Sequence, residues 1–179
     1  MLNIEFAILD FIQTYITSPI MDKAMVFITT LGNAGTVWIV VALLMLCTRK
    51  YRMTGVMLSL GLLGSLFFGN IILKPAFARL RPFQIKEGVE LLIAPPHDYS
   101  FPSGHTLASA ISATILLLRD RKLGYISLVL AILIAFSRLY LYVHFPTDVL
   151  GGAVIGMIIG SASVRTVKFL IAKNGADIK

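Results

Sequence analysis

Six apolar runs organise the chain, and they differ in where polar residues interrupt them. Residues 4–17 (IEFAILDFIQTYIT) spread apolar side chains around most of a helix yet include Glu5, Asp10 and Gln13. That mixture predicts an interfacial helix within residues 1–20 rather than a crossing, ended by Ser18-Pro19. Residues 23–47 are apolar except around Leu31-Gly32-Asn33-Ala34-Gly35, which leaves one bent crossing or two short helices. Runs at 53–73, 104–118 and 123–142 predict three further helices, and 147–171 completes the set. A crossing takes roughly 20 mostly apolar residues, so 179 residues hold five or six crossings and little else. The expectation is an all-α polytopic membrane bundle of five or six transmembrane helices, with residues 1–179 as one domain.

Composition strengthens this reading. With 57% hydrophobic residues, 14% charged residues and a mean hydropathy of +0.85, the chain is too apolar for an ordinary soluble domain. The net charge of +7 does not imply nucleic acid, because the basic residues form no continuous stripe with interleaved aromatics. They sit between the apolar runs, at Arg49-Lys50-Tyr51-Arg52, at Arg119-Asp120-Arg121-Lys122, and at Arg165, Lys168, Lys173 and Lys179. Alternating crossings place these clusters on one side, with ten of the sixteen Lys and Arg residues, and the positive-inside rule makes that side cytoplasmic. The 74–102 loop and the 143–146 connection then face outward from the plasma membrane. The single cysteine, Cys47, excludes an intramolecular disulfide. No basic region precedes the first apolar run, so that run is expected to be retained. Gly152, Gly156 and Gly160 would line one face of the last helix and admit a neighbouring helix; packing within the chain is preferred over a dimer face.

Ionisable groups at the edge of a membrane are costly and are functional by default. Three sets stand out on the outward side: Lys74-Pro75-Ala76-Phe77-Ala78-Arg79-Leu80-Arg81-Pro82; Pro102-Ser103-Gly104-His105; and Ser137-Arg138 followed by His144 and Asp148. Pro102-Ser103 is a helix start, with Ser103 at the N-cap or in the first turn, and its free N–H groups beside Gly104 form an anion site. If Pro146 opens the next helix, His144 and Asp148 lie on one face, where the carboxylate can hold one imidazole nitrogen and leave the other free. Lys74, Arg81 and Arg138 supply positive charge for a multiply charged oxyanion, and phosphate fits best. His144 and Asp148 alone would read as a structural contact, and Lys74 and Arg81 alone as snorkelling anchors. The convergence of all three sets decides for chemistry.

The chain resembles the phosphatidic acid phosphatase type 2 superfamily of lipid phosphatases. Its pattern appears in order as KPAFARLRP (74–82), PSGH (102–105) and SRLYLYVHFPTD (137–148), with all eleven specified positions matched. The resemblance implies a haloperoxidase-like helical core with His144 as nucleophile, Asp148 as its orienting partner and His105 as general acid and base. Lys74, Arg81, Ser103, Gly104 and Arg138 would hold the phosphate. It implies no cofactor and no metal, and the sequence offers no spare ligand cluster; His97 reads as an exposed loop residue. Arg79 and Lys86 fall outside the pattern and read as solvated loop charge or as attraction for anionic head groups. Trp38, Tyr140 and Tyr142 read as interface anchors or packing. The resemblance implies a membrane lipid phosphate as partner, most closely that of the small bacterial undecaprenyl-diphosphate phosphatases, with phosphatidylglycerophosphate, phosphatidate and diacylglycerol diphosphate as alternatives. A transporter for phosphate-like anions is the rival of another class; the clustering of motifs at one face and the absence of a repeat speak against it.

Overall fold

The computed structural model describes residues 2–173, so Lys179 lies outside the described residues. These form helices joined by connections and one long loop, without strands. Helix α1 (Leu2–Tyr15) precedes α2 (Pro19–Gly32), whose start is capped by Ser18 accepting from the Met21 N–H, with Pro19 at the first position. The chain then turns at Asn33–Gly35 into α3 (Thr36–Cys47). Ala34 (φ 50°) and Gly35 (φ 70°) take left-handed dihedrals there, which breaks the helix into two pieces. At about 18 Å, α3 is too short to cross alone, so α2 and α3 together form one bent span.

Helix α4 (Arg52–Gly64) continues without a break through a π-helical stretch (Ser65–Leu73) into α5 (Lys74–Phe77). The short α6 (Pro82–Ile85) follows, then a loop, α7 (Gly104–Arg119), α8 (Arg121–Tyr140) and α9 (Pro146–Lys173). Four helical stretches are long and apolar enough to span a bilayer: 19–47, 49–85, 121–140 and 146–173. The shorter α7 runs among them as the central element, burying Leu107, Ile111, Ile115 and Leu116 against α4 and α9. Its buried hydroxyls bond within the bundle: Ser109 accepts a 2.9 Å hydrogen bond from the buried Trp38 indole, and Ser112 donates to the Ala108 carbonyl. Trp38 is therefore a packing residue.

The glycine stripe on α9 lies against α7. A Cβ at Gly152 would stand 2.8 Å from the Ser103 carbonyl oxygen, one at Gly156 2.8 Å from that of Leu107, and one at Gly160 2.9 Å from that of Ile111. Contacts so short leave no room for a side chain, and the stripe serves packing within the chain. Close approach in turn sets the start of α9 beside the start of α7. The basic clusters gather at the opposite end, where the Tyr51 hydroxyl donates to Asp120.

Candidate active site

His144 sits in the buried connection between α8 and α9, where Tyr142 adopts φ 58° and all of residues 141–145 are buried. Asp148 lies in the first turn of α9 behind Pro146, as the spacing predicts. Its Oδ2 accepts the Phe145 N–H at 2.8 Å and stands 3.6 Å from His144 Nδ1. Ser100 tightens this pair. Its hydroxyl donates to Asp148 Oδ2 at 2.5 Å and lies 3.4 Å from His144 Nδ1.

Arg81 Nη1 lies 3.1 Å from His144 Nε2. A guanidinium only donates, so this contact assigns the lone pair to Nε2 and the ring proton to Nδ1, on the Asp148 side. Burial pushes the His144 imidazole down to about 3, with Arg81 and Arg138 acting in the same sense against the pull of Asp148. The ring is therefore neutral near pH 7, with a free nitrogen turned to the cations.

The cations come from three places. Lys74 (α5) and Arg81 (N-cap of α6) are buried, and both bond to the half-exposed carboxylate of Asp98, Arg81 Nη2 at 2.6 Å. Arg81 is further fixed by the carbonyls of Asp98 (2.8 Å) and Val143 (2.7 Å). Burial alone would raise the Asp98 carboxyl, but the bonds to Lys74 and Arg81 hold it down to about 2. Arg138, on the last turn of α8, is 3% exposed; its Nη1 donates to Thr29 at 2.5 Å and its Nε has no partner. No carboxylate among the described residues pairs with it. A buried, unpaired guanidinium is costly unless an anion arrives to meet it.

Ser103 occupies the N-cap of α7 with extended backbone, but its side chain does not cap the helix; the buried hydroxyl accepts from Thr106 at 3.0 Å. Its N–H donates to the Asp148 carbonyl, tying the starts of α7 and α9 together. Gly104 is open to Lys74, whose Nζ would lie 3.7 Å from an added Cβ. His105 Nε2 lies 3.0 Å from the Asn33 side-chain oxygen at the kink between α2 and α3.

All eight sequence-predicted site residues thus gather at one end of the bundle. Sequence reasoning missed Ser100, Asp98, Thr29 and Asn33, and it placed Arg79 wrongly. Arg79 is no solvated loop charge: its Nη1 donates to Asp148 Oδ1 at 2.5 Å and its Nη2 to Glu5 at 2.7 Å. His97 is exposed, as expected. Around the site, four cations (Lys74, Arg79, Arg81, Arg138) face three carboxylates (Glu5, Asp98, Asp148). No group of His, Cys, Asp and Glu able to hold a metal occurs among the described residues.

A cavity of ≈ 590 Å³ opens beside Lys74, Asp98, Gly104 and His105 and continues between α3 and α4. There Ile39, Leu43, Leu62 and Leu66 make its walls apolar.

Comparison with known proteins agrees with this geometry. Residues 54–172 match the profile of the PAP2 superfamily. An undecaprenyl-diphosphatase of Sulfolobus acidocaldarius is 37% identical over 146 residues, covering 81% of this chain and 70% of the relative. The undecaprenyl-diphosphatase BcrC of Bacillus subtilis is 30% identical over 143 residues, 80% of this chain and 73% of its own. Among solved structures, a transmembrane PAP2-type phosphatidylglycerolphosphate phosphatase from Bacillus subtilis superposes with a TM-score of 0.73 at 28% identity, covering 93% of this chain and 85% of that one.

Proposed function

Since the chain belongs to the PAP2 superfamily and is a multi-pass membrane lipid phosphatase, we propose that it hydrolyses undecaprenyl diphosphate through a covalent phosphohistidine on His144. The observation that carries the reading is the union of a buried cationic site, holding a neutral imidazole, with an apolar groove leading into the bundle between α3 and α4.

Phosphoryl transfer asks the protein mainly to position groups and to neutralise charge on the equatorial oxygens. The terminal phosphate displaces the Asp98 carboxylate from Lys74 and Arg81, and Arg138 Nε gains the acceptor it lacks. Removing one carboxylate leaves four cations against two carboxylates, a balance that suits a phosphate dianion. His144 Nε2 then attacks phosphorus, forming the N–P bond as the bond to the leaving oxygen breaks, and His105 gives that oxygen its proton. Asp148 stabilises the charge that grows on the ring. Water next attacks phosphorus, passing its proton to His105, and the N–P bond breaks to release phosphate. Every step uses side chains of this chain and calls for no metal.

The site faces the outside of the cell, because the exposed basic clusters at the other end favour the cytoplasmic side. In this orientation α1 lies in the outer interface with Leu2, Ile4, Ile8 and Phe11 exposed to lipid. The phosphatidylglycerolphosphate phosphatase structure supports a second substrate class.

The test is phosphate release from a panel of prenyl diphosphates and glycerophospholipid phosphates by wild type and His144→Ala in detergent without added metal. We expect release from undecaprenyl diphosphate to be fastest and the variant to lose at least about 10³-fold in kcat. Undiminished release by the variant would overturn the phosphohistidine, and no release from any substrate would favour a transporter. For the site's side, Glu87→Cys in a Cys47→Ala background should react with a membrane-impermeant maleimide on intact cells.

A further inference from the structure

Helix α1 reaches the catalytic pair through one buried carboxylate. Glu5 is 4% exposed; its Oε2 accepts from Arg79 Nη2, and its Oε1 accepts the Thr147 hydroxyl at 2.5 Å and the Thr147 N–H at 3.3 Å. Arg79 also donates through Nη1 to Thr147 Oγ1 at 2.6 Å and to Asp148 Oδ1, while its guanidinium lies 4.3 Å from the centre of the Phe145 ring. One guanidinium therefore bridges two carboxylates, one of which is the partner of His144. The two oxygens of Asp148 are held apart in role: Oδ1 belongs to Arg79, and Oδ2 to Ser100, the Phe145 N–H and the imidazole side.

We propose that Glu5 and Arg79 are positioning residues for the phosphoryl transfer: Glu5 shares the charge of Arg79, so that Asp148 is fixed in place without being neutralised as the partner of His144. The inference rests on the reading of His144 as nucleophile. Its physical basis is simple. Arg79 alone would fix Asp148 but draw off its negative charge; with Glu5 opposite, the Arg79–Glu5 pair is neutral as a unit and the carboxylate charge remains available to the ring. The charged or titratable groups facing His144 from the surrounding elements are Asp148 on α9, Arg81 before α6, Arg138 on α8 and His105 on α7, with Lys74 and Asp98 beyond. Glu5 and Arg79 act on the ring only through Asp148.

The position of α1 fits this role. Asp10 is held by Lys86 at 2.7 Å and by the Tyr142 hydroxyl at 2.7 Å, and Gln13 donates to the Tyr140 carbonyl at 2.6 Å. Glu5, Asp10 and Gln13 are thus turned onto the bundle together with the buried Leu9 and Ile12, while Ile4, Ile8 and Phe11 face outward.

The experiment is the pH profile of kcat and KM for Glu5→Gln, Arg79→Gln and the double variant, in the full chain in detergent, with melting temperatures. Both single variants should lose about 10- to 100-fold in kcat with KM within about twofold. The signs separate them. Loss of the Glu5 charge makes protonation of His144 harder and moves the acidic limb to lower pH. Loss of the Arg79 charge makes it easier and moves the limb to higher pH. The double variant should return the limb to near its wild-type position. Arg79→Lys, which keeps the charge but not the fork, should keep the limb while losing kcat; it serves if the glutamine variants fail to fold. Limbs of the glutamine variants that stay put, or move the same way, while melting temperature falls would reduce the cluster to a docking contact and overturn the proposal, as would an Arg79→Lys variant with undiminished kcat. An active His144→Ala would instead remove the nucleophile reading beneath it.

Discussion

At the end of the bundle away from the site, Arg49, Lys50, Arg52, Arg121, Lys122, Arg165 and Lys168 are all exposed. At the site end, Lys74, Arg81 and Arg138 are 7%, 2% and 3% exposed. The same residue types meet opposite solvent conditions, and their requirements differ accordingly. An exposed cation is hydrated and fixes at most the orientation of the chain in the membrane. A buried one must be met by an anion; Lys74 and Arg81 borrow Asp98, and Arg138 has none among the described residues. The teaching is that the site is built with a deficit of negative charge, which under the proposed function a phosphate dianion makes good.

The sharpest way to break this comparison is Arg138→Met. A cation kept for its ligand should cost activity and not stability: kcat/KM is expected to fall by about 10² to 10³, while the melting temperature holds or rises as an unpaired buried charge disappears. A fall in both would make Arg138 a structural residue. Gly156→Leu asks whether packing, not charge, controls the site. Driving a side chain into the Leu107 carbonyl should destabilise the protein by about 1–3 kcal/mol, read in a thermal melt, and part the starts of α7 and α9. Asp98→Asn should tighten competitive inhibition by inorganic phosphate about tenfold, because the internal competitor for Lys74 and Arg81 is gone; weaker inhibition would make Asp98 a support for those cations. Lowering the pH to 5 should not mimic this variant, since the Asp98 carboxyl is held down to about 2 and stays ionised. The smallest effect belongs to the far end, where Arg121→Gln with Lys122→Gln should leave stability within about 0.5 kcal/mol and turnover nearly unchanged.

Much of this was readable in the chain itself. Hydropathy periods located the helices, and His144 with Asp148 could be paired because a helix opening at Pro146 puts residues four apart on one face. The choice between one bent crossing and two helices at 31–35 could not be made, because it turns on Ala34 accepting a left-handed conformation that its type does not favour. Ser100 and Asp98 sit in an irregular loop where no period marks which side chain turns inward. Arg79 was misread, and Glu5 given no role at the site, for a related reason: each looks like a surface charge until a partner 74 residues away removes it from water. Pair formation over that separation leaves no local trace in sequence.

The π-helical stretch Ser65–Leu73 also left no trace, since its apolar residues suit either helix type. Within it the Lys74 N–H reaches back five residues to the Gly69 carbonyl. Each such turn accommodates one residue more than an α-turn, so the segment acts as a phase shifter between the membrane-buried α4 and the mouth of the site. Winding the same residues as a plain α-helix would rotate everything downstream by about 100°. Lys74 would then swing from the anion site towards the surrounding lipid, although every residue of the signature would still be present in the sequence.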